Sequence, residues 1–508
     1  MYQRLTLNGY NWDLPPGELP PDIWSSGRNM LPKPGGMIRA RGYLATLGTP
    51  LCPPKYLLYT PQLGLPTWLY AGTKIVTIDG ATHNDRTPAG FVAAAANNWT
   101  GGNLNGIAII NSLENPPYYW FAGQPTTLEL PGQRPNTRYV TMRPFKYHLI
   151  WMGVLESNKE FFDEVHWSNA ADPGQVPDTW VPAADNEAGD NILADEPGPI
   201  IDGLPMRDVF VMYKGNAVYE MSYIGGVSVF RFRKLYNCTG MLTRNCAVEV
   251  KGTHIVLGNG DIYRHDGQNI TSIIDGVLKA TFFGALDNEN YQNSYVVYIE
   301  PDEEVWFCVP TSGETVPTRA LVYGVNTGLW GFRDLPPTDF AAVGIVVNTE
   351  NQGLEAWDTD ADAWDSDTTI WLQQSLDATQ EAVLLASATN TKLYKGNAGA
   401  TNDGAPYTSS LERLGLSLDD PVREKAIRRI WPRITAPQGA QFTLALYNQR
   451  DPTSGYEEIA NRTFTTGGPD GVAVNGNARY LGFRIYTDES VDWQLAGFDV
   501  EYMPMGLF

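Results

Sequence analysis

One pattern constrains this chain more than any other. A short apolar or alternating run is followed by a few turn-forming residues and then by a second short run. Trp68–Gly72 passes through Thr73 and Lys74 to Ile75–Asp79, and Asp208–Tyr213 passes through Lys214–Asn216 to Ala217–Ser222. His254–Leu257 and Asp261–Arg264 flank Gly258-Asn-Gly260, while Ser294–Ile299 leads through Pro301 and Asp302 to Val305–Val309. Ala320–Tyr323 precedes Leu329–Phe332, and Ala382–Ala386 precedes Lys392–Tyr394. Each unit reads as strand, tight turn and strand. Gly and Asn at the turns supply the positive φ that hairpin connections need. The units near Asp208, His254 and Ser294 start roughly 35–45 residues apart, a spacing that fits four-stranded propeller blades. No WD or kelch signature recurs, so one or more β-sandwiches remain the alternative.

Composition narrows the field. The 508 residues carry a formal net charge of −21, yet only 18 % are charged and there are 15 Trp and 26 Tyr. Aromatics in that number exclude a disordered acidic tail. The 50 Gly and 36 Pro exclude a coiled coil. The acidic balance argues against a protein that grips DNA. The expectation is an all-β chain: a β-propeller-like body with long loops plus a C-terminal β-sandwich-like module. The divisions expected are an N-terminal arm over 1–45, the body over 46–404 with a loop-rich insertion around 156–205, and the sandwich module over 405–508. Val422–Ile430 reads as either a short helix or an exposed strand. No apolar run is long enough to cross a membrane as a helix, and the first residues lack a signal-peptide apolar region. The chain is therefore expected to be made in a cytoplasm, neither secreted nor transmembrane. Cys52, Cys238, Cys246 and Cys308 form no C-x-x-C pair and read as buried small apolar groups. The sequons at Asn98, Asn237, Asn269 and Asn461 then carry no glycan.

Chemical motifs are few. His83, His148, His166, His254 and His265 include no HExxH and no i, i+4 pair, so each reads as structural or surface. There is no phosphate-binding loop and no G-x-S-x-G elbow. A sialidase-like site lacks its S-x-D-x-G-x-x-W companion, and Asn326–Trp330 is only a distant echo. No enzymatic activity and no cofactor are expected. The acidic run Asp358, Asp360, Asp362, Asp365, Asp367 has the oxygen spacing of a calcium loop. It departs where Ala363 replaces the turn glycine and Thr369 the closing glutamate, so a solvated loop is the better reading. One basic cluster, Arg423, Lys425, Arg428, Arg429 and Arg433, stands against the acidic background. It is expected to contact another subunit or partner protein, which would offer abundant carboxylates.

Three stretches, taken in order, resemble the tail nozzle (tail hub) proteins of short-tailed bacteriophages. The first is Pro21-Asp-Ile-Trp24-Ser-Ser-Gly27-Arg-Asn29 followed by Gly35-Gly36-Met-Ile38-Arg-Ala-Arg-Gly42. The second is Val165-His-Trp167-Ser168-Asn-Ala-Ala-Asp172-Pro173 with Trp180 after it. The third is Arg479–Arg484, Trp493–Val500 and Pro504–Gly506, where Leu507-Phe508 follow instead of the family's usual Arg. The resemblance implies a virion protein of the tail: a six-copy ring below a tail adaptor ring. It would hold tail fibre or tail spike proteins and pass phage DNA without sequence-specific binding, and it could meet the host outer surface. An acidic wall would repel DNA in transit. The rival reading is a host-surface glycan-binding or glycan-cleaving tail protein on a propeller fold.

Overall fold

The computed structural model describes the chain except for 63–64, 95–97, 238, 347–353, 356–369, 372–380, 419, 451–454, 468–470 and 508. It is an all-β protein with a propeller-like body and a sandwich-like C-terminal module. All six sequence-read hairpins are present. Their turns use more than Gly and Asn, since Glu303 and Thr391 also take left-handed φ, at 52° and 50°. Contacts divide the chain into two compact units. One gathers Met1–Leu44, Cys246–Pro336 and Asn397–Phe508, and the other gathers Ala45–Asn245 and Pro337–Gly396. Residues 246–336, read from sequence as part of the body, thus cluster with the first 44 residues and the C-terminal module.

The unit built on Ala45–Asn245 contains four antiparallel meanders of four strands each, paired in chain order. They run from Tyr56–Gln62 to Thr82–Asp85, from Thr100–Leu104 to Leu128–Glu129, from Thr137–Phe145 to Gly189–Ile192, and from Ile200–Met206 to Phe230–Asn237. Phe340–Ile345, Glu381–Ser387 and Lys392–Gly396 continue the pattern. Alternate residues of one strand serve two different cores. Trp68 and Tyr70 pack with Leu384, Ala386 and Leu393, whereas Leu69 and Ala71 pack with Ala108, Ile110 and Tyr118. Leu149 and Trp151 join Ile107 and Ile109, whereas Ile150 and Met152 join Phe210 and Met212. Both faces are therefore dry, and Ile107–Asn111 is buried at every position. This is why such strands read as continuous apolar runs and lack polar alternation. Each large side chain buried this way contributes about 1.5–3 kcal/mol.

One ion pair ties the third of these meanders to the fourth. Arg143 donates from Nε to Asp202 Oδ1 at 2.9 Å and from Nη2 to Oδ2 at 2.6 Å. Its Nη2 also reaches Asn245 Oδ1 at 2.6 Å, and Asp202 further accepts the Asn245 and Gly203 amides at 2.9 and 2.8 Å. Burial alone would lower the Arg143 pKa, but Asp202 more than reverses this and the guanidinium is held charged.

The segment 156–205, read as loop-rich, carries the strands Lys159–Trp167 and Gly189–Ile192 and the start of Ile200–Met206. Its strandless part, 168–188, is stitched down. The Asn169 amide donates to Thr179 O at 2.9 Å, and the Trp180 indole stacks on Trp151 at 4.3 Å with 3° between planes.

In the other unit, Ala247–Val250 through Ile270–Ser272 form one meander, and Tyr295–Ile299 through Trp330–Asp334 form another. The second continues through Met30–Lys33 and Gly36–Arg39 to Gln494–Leu507, Arg423–Thr435 and Val472–Ala478. Ser26–Arg28, Ser409–Leu416, Tyr480–Thr487, Gln441–Gln449 and Glu457–Thr465 make a separate five-stranded sheet. Phe442, Leu444, Phe483 and Ile485 from that sheet share a core with Ile427, Ile430, Phe498 and Val500 from the long one. Trp24, fully buried, sets its edge against Phe483 and Phe498 at 6.0 and 5.9 Å. The N-terminal residues are structural members here, since Tyr2–Leu5 pairs with Phe498–Glu501. Cys52, Cys246 and Cys308 are buried thiols, as the sequence suggests, and burial pushes Cys308 up to about 12. Cys238 lies outside the described residues. Among those residues no helix is long and apolar enough to cross a membrane.

Candidate interaction surface

The basic cluster lies on one strand, Arg423–Thr435, which settles the helix-or-strand alternative. This strand pairs with Gln494–Leu507 on one side and Val472–Ala478 on the other. Ile427 and Ile430 turn inward. The register slips between Ile427 and Arg429 against both neighbours. Such a bulge re-aims side chains, and here Arg428 and Arg429 are both exposed although they are adjacent.

The five cations divide into two groups. Lys425 is fully buried, with its ammonium donating to Asp420 O and, at 2.8 Å, to Arg479 O; burial lowers its pKa. Arg433 donates from Nη2 to Leu5 O at 3.1 Å, to Thr6 Oγ1 at 3.0 Å and to Ala496 O at 3.2 Å. These two hold their own unit together. Arg423, Arg428 and Arg429 face outward. Arg423 is 3.8 Å from the Asp420 carboxylate, whose pKa is lowered chiefly by the Arg423 backbone amide. The Arg429 guanidinium lies 5.9 Å from the Trp431 ring centre, and Trp431 in turn meets Tyr2. Arg428 reaches Met503 Sδ at 4.0 Å.

Sequence reasoning missed the apolar half of this face. Met503 and Met505 are 47 % and 40 % exposed, and Val422 is 53 % exposed. The signal was present as Met503-Pro-Met505, since alternate residues of a strand share a face. Guanidiniums take carboxylates bidentately, and methionine adapts to irregular apolar partners. Together they make a surface suited to an acidic protein with some apolar relief.

The other candidates resolve differently. Asp358, Asp360, Asp362, Asp365 and Asp367 lie outside the described residues. Glu164, His166 and Asp190 bring three ligand atoms within 4.8 Å of one another. Arg134 already supplies the cation there, with Nη2 at 2.5 Å from Asp190 and Nη1 at 3.4 Å from His166 Nε2. Burial first, and Arg134 second, lower the His166 pKa. His148, His166, His254 and His265 are all buried, and His83 bridges the Tyr70 hydroxyl and Leu47 O at 3.0 and 2.6 Å.

No family model and no curated protein matches the chain. Among solved structures, the computationally designed Ika8 protein aligns at 9 % identity with a TM-score of 0.35, covering 69 % of this chain and 99 % of that one. The WD40 β-propeller domain of Doa1 aligns at 8 % identity with a TM-score of 0.39, covering 70 % and 96 %.

Proposed function

We propose that this protein is a structural subunit of the tail nozzle of a short-tailed bacteriophage, without catalytic activity of its own. In this reading six copies form a ring below a tail adaptor ring, anchor tail fibre or spike proteins, and pass phage DNA without reading its sequence. The observation that carries the proposal is the outward face of Arg423, Arg428 and Arg429 beside Met503 and Met505, in a chain with 21 excess negative charges. A neighbouring copy presents the carboxylates that such a face pairs with. The arrangement of the resemblance adds support: Trp24 of its first stretch and Phe483 and Phe498 of its last meet in one core.

The test is the double substitution Arg428→Glu and Arg429→Glu. The isolated chain should fold as before, because both side chains are exposed. Ring formation on the adaptor, followed by native mass spectrometry and electron microscopy, should fail. Rings of normal size and yield would remove this face from the assembly and with it the support for the proposal.

A further inference from the structure

We propose that a cleft in the Ala45–Asn245 unit binds a short, uncharged oligosaccharide. The cleft holds about 490 Å³ and lies beside Gln62, the Asn105-Gly106 turn, Tyr119, Phe121, Gln124 and Gln175. That volume falls within the usual range of small-ligand sites, about 300–1,000 Å³. In a chain of net charge −21, no described side chain lining this cleft is charged at neutral pH. A comparable cavity near Lys33 and Arg39, of about 390 Å³, is instead crossed by the Lys33–Glu304 ion pair at 2.7 Å.

The lining has the two components that a sugar needs. Tyr119 and Phe121 sit two residues apart along one strand and its exit, with ring centres 6.3 Å apart and planes 15° from parallel. Phe121 is 37 % exposed. The exposed Phe121 ring, stacked on the partly buried Tyr119, offers an apolar face for the C–H face of a pyranose, and aromatic contact area comes at low entropic cost. Around it stand side-chain amides, which both donate and accept and so match hydroxyls. The Asn105 amide nitrogen is fixed on Asp172 O at 3.1 Å and Gln175 O at 3.3 Å, leaving Oδ1 to accept. The side chains of Gln124 and Gln175 make no hydrogen bond among the described residues, so both amides are available. The Asn105-Gly106 turn has left-handed φ at both positions, 53° and 81°, the tight form that holds a hairpin rigid. With no carboxylate on the lining, the cleft has no acid–base pair for glycoside cleavage. Binding without hydrolysis is the expected activity, and it does not depend on the tail role.

The full chain should be titrated by calorimetry and saturation-transfer NMR with neutral gluco-, manno- and galacto-tetrasaccharides, and with tetragalacturonate as the charged counterpart. At least one neutral tetrasaccharide should bind saturably and remain intact. Phe121→Ala should weaken it by about tenfold or more, as loss of an aromatic stacking partner does. Gln175→Ala, at an exposed side chain, should weaken it by about fivefold and serves if the first variant misfolds. Phe161→Ala, an exposed aromatic outside the cleft, should change nothing. The inference is overturned if no neutral tetrasaccharide binds, if only the uronate binds, or if folded Phe121→Ala and Gln175→Ala variants bind like the parent.

Discussion

Arg143 and Arg413 are two inward guanidiniums held in opposite ways. Arg143, in the unit of repeated meanders, faces the fully buried Asp202, which compensates its charge. Arg413, in the unit that contains the sandwich core, is 1 % exposed and is surrounded by backbone carbonyls: Pro16 O at 2.9 Å, Leu19 O at 3.0 Å, Pro20 O at 3.3 Å and its neighbour Leu414 O. Burial lowers the Arg413 pKa to about 10, with Tyr456 and Asp22 opposing the shift only in part, so it stays charged at neutral pH without a carboxylate in contact with it. The first arrangement cross-links sheets that follow one another in the chain. The second uses dipoles to pin an N-terminal turn onto a strand almost 400 residues away. Gly415 permits that approach: at φ +74° its Cβ would stand 2.6 Å from the Pro16 carbonyl.

The largest effect expected is at Asp202. Asp202→Ala leaves Arg143 desolvated without a counter-charge and should cost about 3–5 kcal/mol in urea unfolding. Adding Arg143→Met should restore part of that loss, because the cost lies in the orphaned charge. A double variant no better than the single would make the two guanidiniums alike after all. Arg413→Met comes next. It strands carbonyls without removing a paired charge, so about 2 kcal/mol is expected. Faster hydrogen exchange at Gly17 and Glu18 and around Ser25 should accompany it. A loss larger than that at Asp202 would invert the comparison.

Acid should reach both units through their histidines. Burial, with His254 beside it, holds His265 down at about 3. The unfolded chain takes up that proton near 6.5. Between those values only the unfolded state binds it, so stability falls on acidification from about pH 6.5 towards 3, by up to about 1.4 kcal/mol per pH unit. Burial also lowers His148 and His166 in the other unit. His265→Gln should therefore flatten the slope of melting temperature against pH without abolishing it. An unchanged slope would remove His265 from the account. The smallest effect expected is that of Arg428→Glu on folding alone, within about 0.5 kcal/mol as for exposed sites generally.

The hairpins were legible because turn chemistry and apolar runs are local. Trp68–Asp79 and His254–Arg264 need nothing beyond their own residues to be recognised. Lys159–Trp167 was not legible, because Lys159, Glu160, Asp163 and Glu164 lie at exposed or partly exposed strand positions and resemble a loop. The outward pair Arg428 and Arg429 depends on a bulge set by two partner strands, which no local pattern encodes. Arg413 on Pro16 and Arg433 on Leu5 join residues distant in sequence. Tyr119 and Phe121 gave a signal, two aromatics two apart, that looks like any core strand until the amides around them are placed.

The pairing of Tyr2–Leu5 with Phe498–Glu501 sets a timetable for biosynthesis. At about 5–20 residues per second, a ribosome needs on the order of half a minute to a minute and a half between making the first strand and its partner. The unit of Ala45–Asn245 and Pro337–Gly396 is fully synthesised before the last segment of the other unit emerges. Until then Leu5, Trp24, Met30 and Met37 lack most of the core that buries them. The nascent chain therefore carries these apolar residues and an unpaired strand edge until Gln494–Leu507 is made, which is the kind of exposed surface that makes a folding chain prone to aggregation.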